Sequence, residues 1–247
     1  MQSKHLIYNN LKKRYLALSL IFFTVTAFGQ SNFYRLSGGI GGGGTYTFTD
    51  VKKGGFGYGV YGALDYHFTP FITGGLELQM GLAKGGNRVS DPHQREFTNA
   101  FKAVALNFKF RAGEITDFYY SDFLNYTKGF YLGTGLGLVQ SHMNSIVRYK
   151  PQDDGSIYTF PGDDKGSSVM VPVNLGMDFY FPDSWGEIRY IFNVNYQTNF
   201  VFADNFDGYN DPKSKGFKNV SPDIYNFLSI GVKYTFGAKG ITRKTIR

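Results

Sequence analysis

The 247-residue chain has no cysteine. That absence removes disulfide scaffolds, thiolate zinc sites, iron–sulfur clusters and cysteine nucleophiles together. Long apolar runs are also missing beyond the first thirty residues, which excludes a bundle of membrane helices. The mean hydropathy of −0.25 agrees with that exclusion. It does not exclude a membrane β-barrel, where lipid-facing and lumen-facing residues alternate and the average conceals the apolar half. Acidic residues are absent from both ends. The N-terminal 29 residues hold Lys4, Lys12, Lys13 and Arg14; the last eleven hold Lys239, Arg243, Lys244 and Arg247. The formal charge of +7 therefore belongs to the termini, and the nearly balanced body gives no electrostatic basis for a nucleic-acid partner.

What the chain has in quantity is glycine (32), phenylalanine (25) and tyrosine (19). This is poor material for helices and good material for close-packed, twisted strands. At the N-terminus, a cationic stretch precedes the apolar run from Tyr15 to Phe28, which is too short for a stable membrane span. Ala27-Phe28-Gly29 then supplies the small residues of a cleavage site. That order describes a secretory signal peptide over 1–29. The expected division is this signal, a barrel over 30–236 and a basic periplasmic tail over 237–247.

Alternation with period two carries most of the remaining information. From Phe56 to Phe68 one face reads Phe56, Tyr58, Val60, Gly62, Leu64, Tyr66, Phe68, and the other is mostly glycine and polar. After Thr69-Pro70 the next segment sets Ile72, Leu76, Leu78, Met80 and Leu82 against Thr73, Glu77 and Gln79. Val104–Arg111, Phe130–Leu138, Val169–Phe181, Ile188–Phe200 and Leu228–Phe236 repeat the pattern, and a glycine-rich segment near 33–48 shows it more weakly. Eight such segments of about ten residues are long enough to cross a bilayer at a tilt. Aromatics collect near the ends of the apolar faces and aliphatics fill the middles, as a lipid-facing band flanked by two girdles requires. Connections after the second and sixth segments are short. Those near 85–100, 142–168 and 201–223 are long and polar, matching periplasmic turns and outer loops. A soluble barrel would reverse the faces and force every large aromatic into its interior.

The segment GYGVYGALDYHFTPFITGGLELQMG and the closing FLSIGVKYTF resemble OmpA/OmpX-type eight-stranded outer-membrane barrels. The resemblance spans 33–236 and specifies a class of fold. It implies an all-β, eight-stranded antiparallel up-and-down transmembrane β-barrel in the outer membrane. One departure is that eleven residues follow Phe236. By analogy with PorT-type barrels, the class also includes accessory parts of secretion or assembly machines.

Eight strands enclose a lumen just wide enough to be filled by side chains. The expected inward charges are Arg35, Lys109, Arg111, Arg189 and Lys233 against Asp65, Glu77, Asp178 and Glu187, with His67 nearby. In a narrow low-dielectric space these should pair, since an isolated buried charge is too costly. Filled, the lumen is a structural plug. The many inward glycines leave open a narrow solute or ion channel instead.

Catalysis finds little support. Ser141 and His142 are neighbours, but adjacent strand residues point to opposite faces and are badly placed to share a proton. Asp204-Asn205-Phe206-Asp207-Gly208 looks like half a calcium loop, yet Ala203 and Ser214 occupy ligand positions, so no metal or cofactor is expected. The connection 112–128 packs Phe118, Tyr119, Tyr120, Phe123, Leu124 and Tyr126 into nine residues, as a patch for an envelope-protein partner or as headgroup anchors. Outer-membrane lipid is the other expected partner. Pro172 conflicts with a closed barrel, which has no edge strand to tolerate it; a bulge or a shortened strand is expected there.

Overall fold

The computed structural model describes residues 33–202, 206–210 and 222–242; the expected signal peptide lies outside them. Eight strands form the barrel: β1 (Phe33–Phe48), β2 (Gly54–His67), β3 (Ile72–Gly86), β4 (Glu96–Arg111), β5 (Phe130–Ile146), β8 (Lys165–Pro182), β9 (Ile188–Val201) and β10 (Asp223–Gly240). Two three-residue strands, β6 (Tyr149–Pro151) and β7 (Ile157–Thr159), make a separate hairpin in the connection between β5 and β8. A six-residue helix, α1 (Asp122–Thr127), lies between β4 and β5, its N-terminus capped by Ser121. Each barrel strand pairs antiparallel with its chain neighbour, and β1 pairs with β10 to close the ring. Phe33 stands opposite Gly240, so the described chain enters and leaves at one end. That is the terminal end; the other is the loop end.

The surface is inside out relative to a water-soluble barrel. Ile40 is 75% exposed and Leu136 is 67% exposed, whereas Asn174 and Gln197 are fully buried. Burying amides while baring aliphatics is favourable only where the exterior solvent is hydrocarbon. The outward girdles are also present. Tyr46 packs on Phe48 and Phe56 at the loop end, and Tyr66 packs on Phe68 at the terminal end.

The strands outrun the membrane. Sixteen residues at about 3.3 Å each, tilted by about 40°, rise roughly 40 Å, against a hydrocarbon core of about 30 Å. The pattern inverts where they emerge. On β4 the outward set is Phe110, Phe108, Leu106, Val104 and then Lys102, while the inward set changes from Arg111, Lys109 and Asn107 to Ala105, Ala103 and Phe101. β5 does the same: beyond Leu138 the outward residues are Gln140, His142 and Asn144, and Val139 and Met143 face in. The loop-end third of the barrel is therefore built like a soluble protein. This lengthens β4 by eight residues relative to the expected 104–111 and shortens the adjoining loop.

Two irregularities alter expected placements. Between Tyr34 and Leu36 the β1–β10 register shifts, with Gly237 at φ +83°, a left-handed conformation that glycine adopts without strain. The bulge buries Tyr34 and leaves Arg35 exposed, its Nη1 donating to the Tyr66 hydroxyl at 3.1 Å. It also carries β10 four residues past Phe236, so 237–240 belong to the barrel and not to a tail. Pro172, in contrast, lies in a regular stretch of an unshortened β8, far from the register shift at Phe181–Pro182. Pairing with β5 stops at Thr134–Val173 and resumes at Gly137–Met170 in the same register. Pro172 offers no N–H there, and its carbonyl accepts from the Thr134 hydroxyl at 3.1 Å. A two-residue gap in one ladder is how the barrel accommodates the proline.

Inward glycines make room for neighbouring side chains. A β-carbon at Gly41 or Gly231 would overlap the ring or hydroxyl of Tyr61, and one at Gly176 would overlap Tyr131. These glycines are the space into which the two lumen tyrosines fold.

Candidate functional site: a filled lumen and its two ends

The lumen is layered along its axis, and alternation on each strand sets the layers. Nearest the terminal end, His67 shares a 2.8 Å hydrogen bond with the Ser37 hydroxyl. Beside them lies a doubly hydrogen-bonded ion pair. Arg111 of β4 places Nε and Nη2 at 2.7 and 2.6 Å from Asp178 Oδ2 of β8, and its Nη1 donates to Thr73. The other Asp178 oxygen accepts from Asn193 at 2.7 Å. Lys233 pairs with Asp65 across β10 and β2, and Lys109 sits 3.8 Å from Glu77. All six charged side chains are at most 5% exposed. Three cations meet three anions, so the layer is neutral, as burial at low dielectric demands. The Tyr131 ring lies 5.4 Å from Lys109 and 5.6 Å from Arg111, adding a polarisable face to both cations.

Above the charges comes a band of amides. Asn193 donates to Tyr131, Tyr131 to Asn195, Asn195 to Asn174 and Asn174 to Asn107, over 2.9 to 3.3 Å. Gln79 bridges Glu77 at 2.6 Å and Gln197 at 2.9 Å, and accepts from Tyr225 at 3.2 Å. A connected polar network of this kind rigidifies the side chains it joins.

Both ends are closed. At the loop end Phe206, fully buried, stacks on Tyr225 with ring centres 4.9 Å apart, and Phe101 packs against both. The folded-in segment is held by Asn99 donating to the Phe206 carbonyl at 2.7 Å and by Arg148 donating to the Gly208 carbonyl at 2.9 Å. The Tyr209 hydroxyl lies 2.8 Å from the Val147 carbonyl oxygen. At the terminal end Phe71 and Phe118 pack edge to face, with Leu124, Tyr180 and Ile188 around them.

Of the ten residues expected in the lumen network, seven are there: Asp65, His67, Glu77, Lys109, Arg111, Asp178 and Lys233. Arg35 is on the outside, turned there by the bulge that β10 makes opposite it. Glu187 and Arg189 form a separate cluster at the terminal rim. Tyr34 and Lys239 donate to Glu187, while Arg189 pairs with Asp183 at 3.1 Å and lies 4.0 Å over the Tyr34 ring. The Lys239 and Tyr34 hydrogen bonds hold the Glu187 carboxyl below its ordinary range. The expected partner patch divides. Phe118 is buried and Leu124 half-buried in the terminal closure, which leaves Tyr119, Tyr120, Phe123 and Tyr126 exposed, Tyr120 at 89%.

Ser141 is buried in the lumen and His142 is exposed outside, on opposite sides of the wall. Asp204 and Asn205 lie outside the described residues, and among the described residues no His, Asp and Glu group is arranged to hold a metal ion. Sequence reasoning missed the loop-end closure. Its signal was the change of polarity along one face from EFTNAFKA onward, where Phe97 and Phe101 share the inward phase with Lys109 and Arg111.

These features define an eight-stranded transmembrane-type β-barrel with an occluded lumen. No protein-family profile and no curated protein matches the chain. Solved structures of similar architecture include Neisserial surface protein A (11% identity, 81% of this chain and 97% of that one, TM-score 0.49). Ail, the attachment invasion locus protein of Yersinia pestis, shares 13% identity over 83% of this chain and 99% of its own, with a TM-score of 0.42. The outer membrane protein OprG from Pseudomonas aeruginosa shares 11% over 84% and 100%, with a TM-score of 0.41.

Two outcomes follow from the charge balance and the loop-end closure. Replacing Arg111 by Met strands Asp178 without its cation and should destabilise the barrel by about 3–5 kcal/mol. Arg111→Met with Asp178→Leu should recover part of that loss, read as urea midpoints by gel mobility of folded and unfolded forms. In the closure, burial and the nearby Asp50 carboxylate raise the proton affinity of Asp207, against N–H bonds from Tyr209 and Asp50 that oppose them. The opened segment ionises at lower pH than the closed one, so closure is firmest in acid and weakens as pH climbs above the ordinary carboxylate range. Hydrogen exchange at 206–210, corrected for intrinsic rates, should show protection falling with pH in the parent and staying level in Asp207→Asn.

Proposed function

We propose that this chain is an integral outer-membrane barrel that acts without catalysis, in envelope structure and as a docking partner for other envelope proteins. The observation that carries the reading is the lumen itself: an ionic layer, an amide layer and an aromatic closure at each end occupy the path that a solute would take. The terminal end, with the short turns after β2 and β8, corresponds to the periplasm and the loop end to the cell exterior. Structures of similar architecture come from outer-membrane and surface proteins, in keeping with that location.

The docking role rests on the connection between β4 and β5. Its buried half, Phe118 and Leu124, anchors it beneath the lumen, and its exposed half presents Tyr119, Tyr120, Phe123 and Tyr126. Rigid aromatic groups on an anchored scaffold are favourable contact material, since little side-chain freedom remains to be lost on association. This placement favours a partner on the periplasmic side, the position an accessory barrel of an assembly machine would need.

Purified protein in planar bilayers should show no steady single-channel conductance. A stable conductance abolished by substitutions at Asp178 or Gln197 would establish the channel reading instead. Extraction from native membranes in mild detergent should recover an envelope protein with the parent chain. Tyr120→Ser with Phe123→Ser should lose that protein while the barrel keeps its folded gel mobility; retention by the double variant would remove the patch from the interface.

A further inference from the structure

A groove of about 780 Å³ runs along the outer wall of the barrel near the loop end. Its two walls differ in chemistry. Tyr58 and Val60 of β2, with Met80 and Leu82 of β3, make an apolar side. Across the floor at Ala100, the side formed by β4, β5 and β8 carries Lys102, Gln140, His142 and Lys165. The register aligns the walls: Val60, Met80, Lys102 and Gln140 form one row, and Leu82, Ala100, His142 and Lys165 the next. Lys102 and Lys165 are exposed, and among the described residues neither is paired with a carboxylate. Acidic residues do not line the groove at all.

Two unpaired ammonium groups at the level where the outward surface turns from aliphatic to polar are poorly served by hydrocarbon below them. A phosphate at headgroup level would neutralise both, and an acyl chain would cover the apolar wall next to it. We propose that this groove is a specific site for an outer-leaflet lipid whose phosphate headgroup carries net negative charge. Lys102 and Lys165 hold the phosphate, Gln140 and His142 supply further polar contacts, and Met80 and Leu82 take the chain. The site occupies one side of the barrel only. On the adjoining flank β1 and the first residues of β2 meet the same boundary with Tyr46, Phe48 and Phe56, an aromatic girdle that selects for depth and not for charge.

The inference rests on the membrane-embedded reading, and its test separates the two. The full chain, folded in non-ionic detergent micelles, is titrated with dioleoyl phosphatidic acid, dioleoyl phosphatidylcholine or inorganic phosphate, and bound lipid is counted by native mass spectrometry. One phosphatidic acid should be retained in preference to phosphatidylcholine, and millimolar inorganic phosphate should not displace it. Lys102→Ala with Lys165→Ala should weaken retention roughly thirtyfold, from two cations near a headgroup surface. Ala100→Trp, which fills the floor without touching charge, should weaken it independently, so the test survives if either variant misfolds. Lys53→Ala, on the β1–β2 turn, should have no effect. Equal retention of both lipids, displacement by free phosphate, or parental retention in both groove variants overturns the site. A chain that fails to insert into lipid vesicles overturns the membrane reading beneath it.

Discussion

Everything in this molecule depends on one constraint: in hydrocarbon, a backbone N–H or C=O has no water to turn to. Closure of β1 on β10 removes the sheet edges, and with them the rows of unpaired groups that lipid would punish. Once the ring is closed, alternation allots every second side chain to lipid and the rest to a narrow interior. The same sequence then has to solve two solvation problems at once. It solves the outer one with aliphatics between aromatic girdles. It solves the inner one with three neutralised ion pairs and a chain of amides. The exception at Pro172 shows how strongly the constraint acts: the ladder opens for two residues, the Thr134 hydroxyl bonds the proline carbonyl, and register resumes unchanged.

The outward face of each membrane-spanning stretch was legible in the sequence because lipid imposes a simple rule on alternate positions. Asp65, Lys109, Arg111, Asp178 and Lys233 were legible for the same reason, as charges in the opposite phase. Arg35 was misplaced because a bulge shifts phase by one residue, and the Gly237 conformation that creates it is written in the partner strand, two hundred residues away. Glu187 and Arg189 have the right phase but the wrong height, and phase alone carries no height. The upper part of β4 was read as loop because its apolar residues, Phe97 and Phe101, lie on the face expected to be polar. A reader looking for one alternation rule stops where the solvent changes and the rule reverses. The aromatic closure by Phe206 depends on a fold-back that no local pattern encodes.

The chemistry of the interior and the display of the surface also separate cleanly. Buried charges here pair with one another inside the wall, whereas the exposed groups are aromatic at one end and cationic along one flank. Ser141 and His142 illustrate the division: adjacent in the chain, they belong to different media. A barrel wall one residue thick makes neighbours in sequence strangers in chemistry.

The reversal of polarity near the loop end has a consequence for recognition. Because the strands continue beyond the bilayer with a packed interior, what reaches the exterior is first a hydrogen-bonded cylinder and only then a set of connections. A macromolecule approaching from outside meets a surface already fixed in shape. The entropy of ordering it was spent during folding, so encounter at this rim requires fewer degrees of freedom to be frozen than encounter with long free loops. Strand length, which in the membrane is a matter of span, becomes outside it a matter of preorganisation.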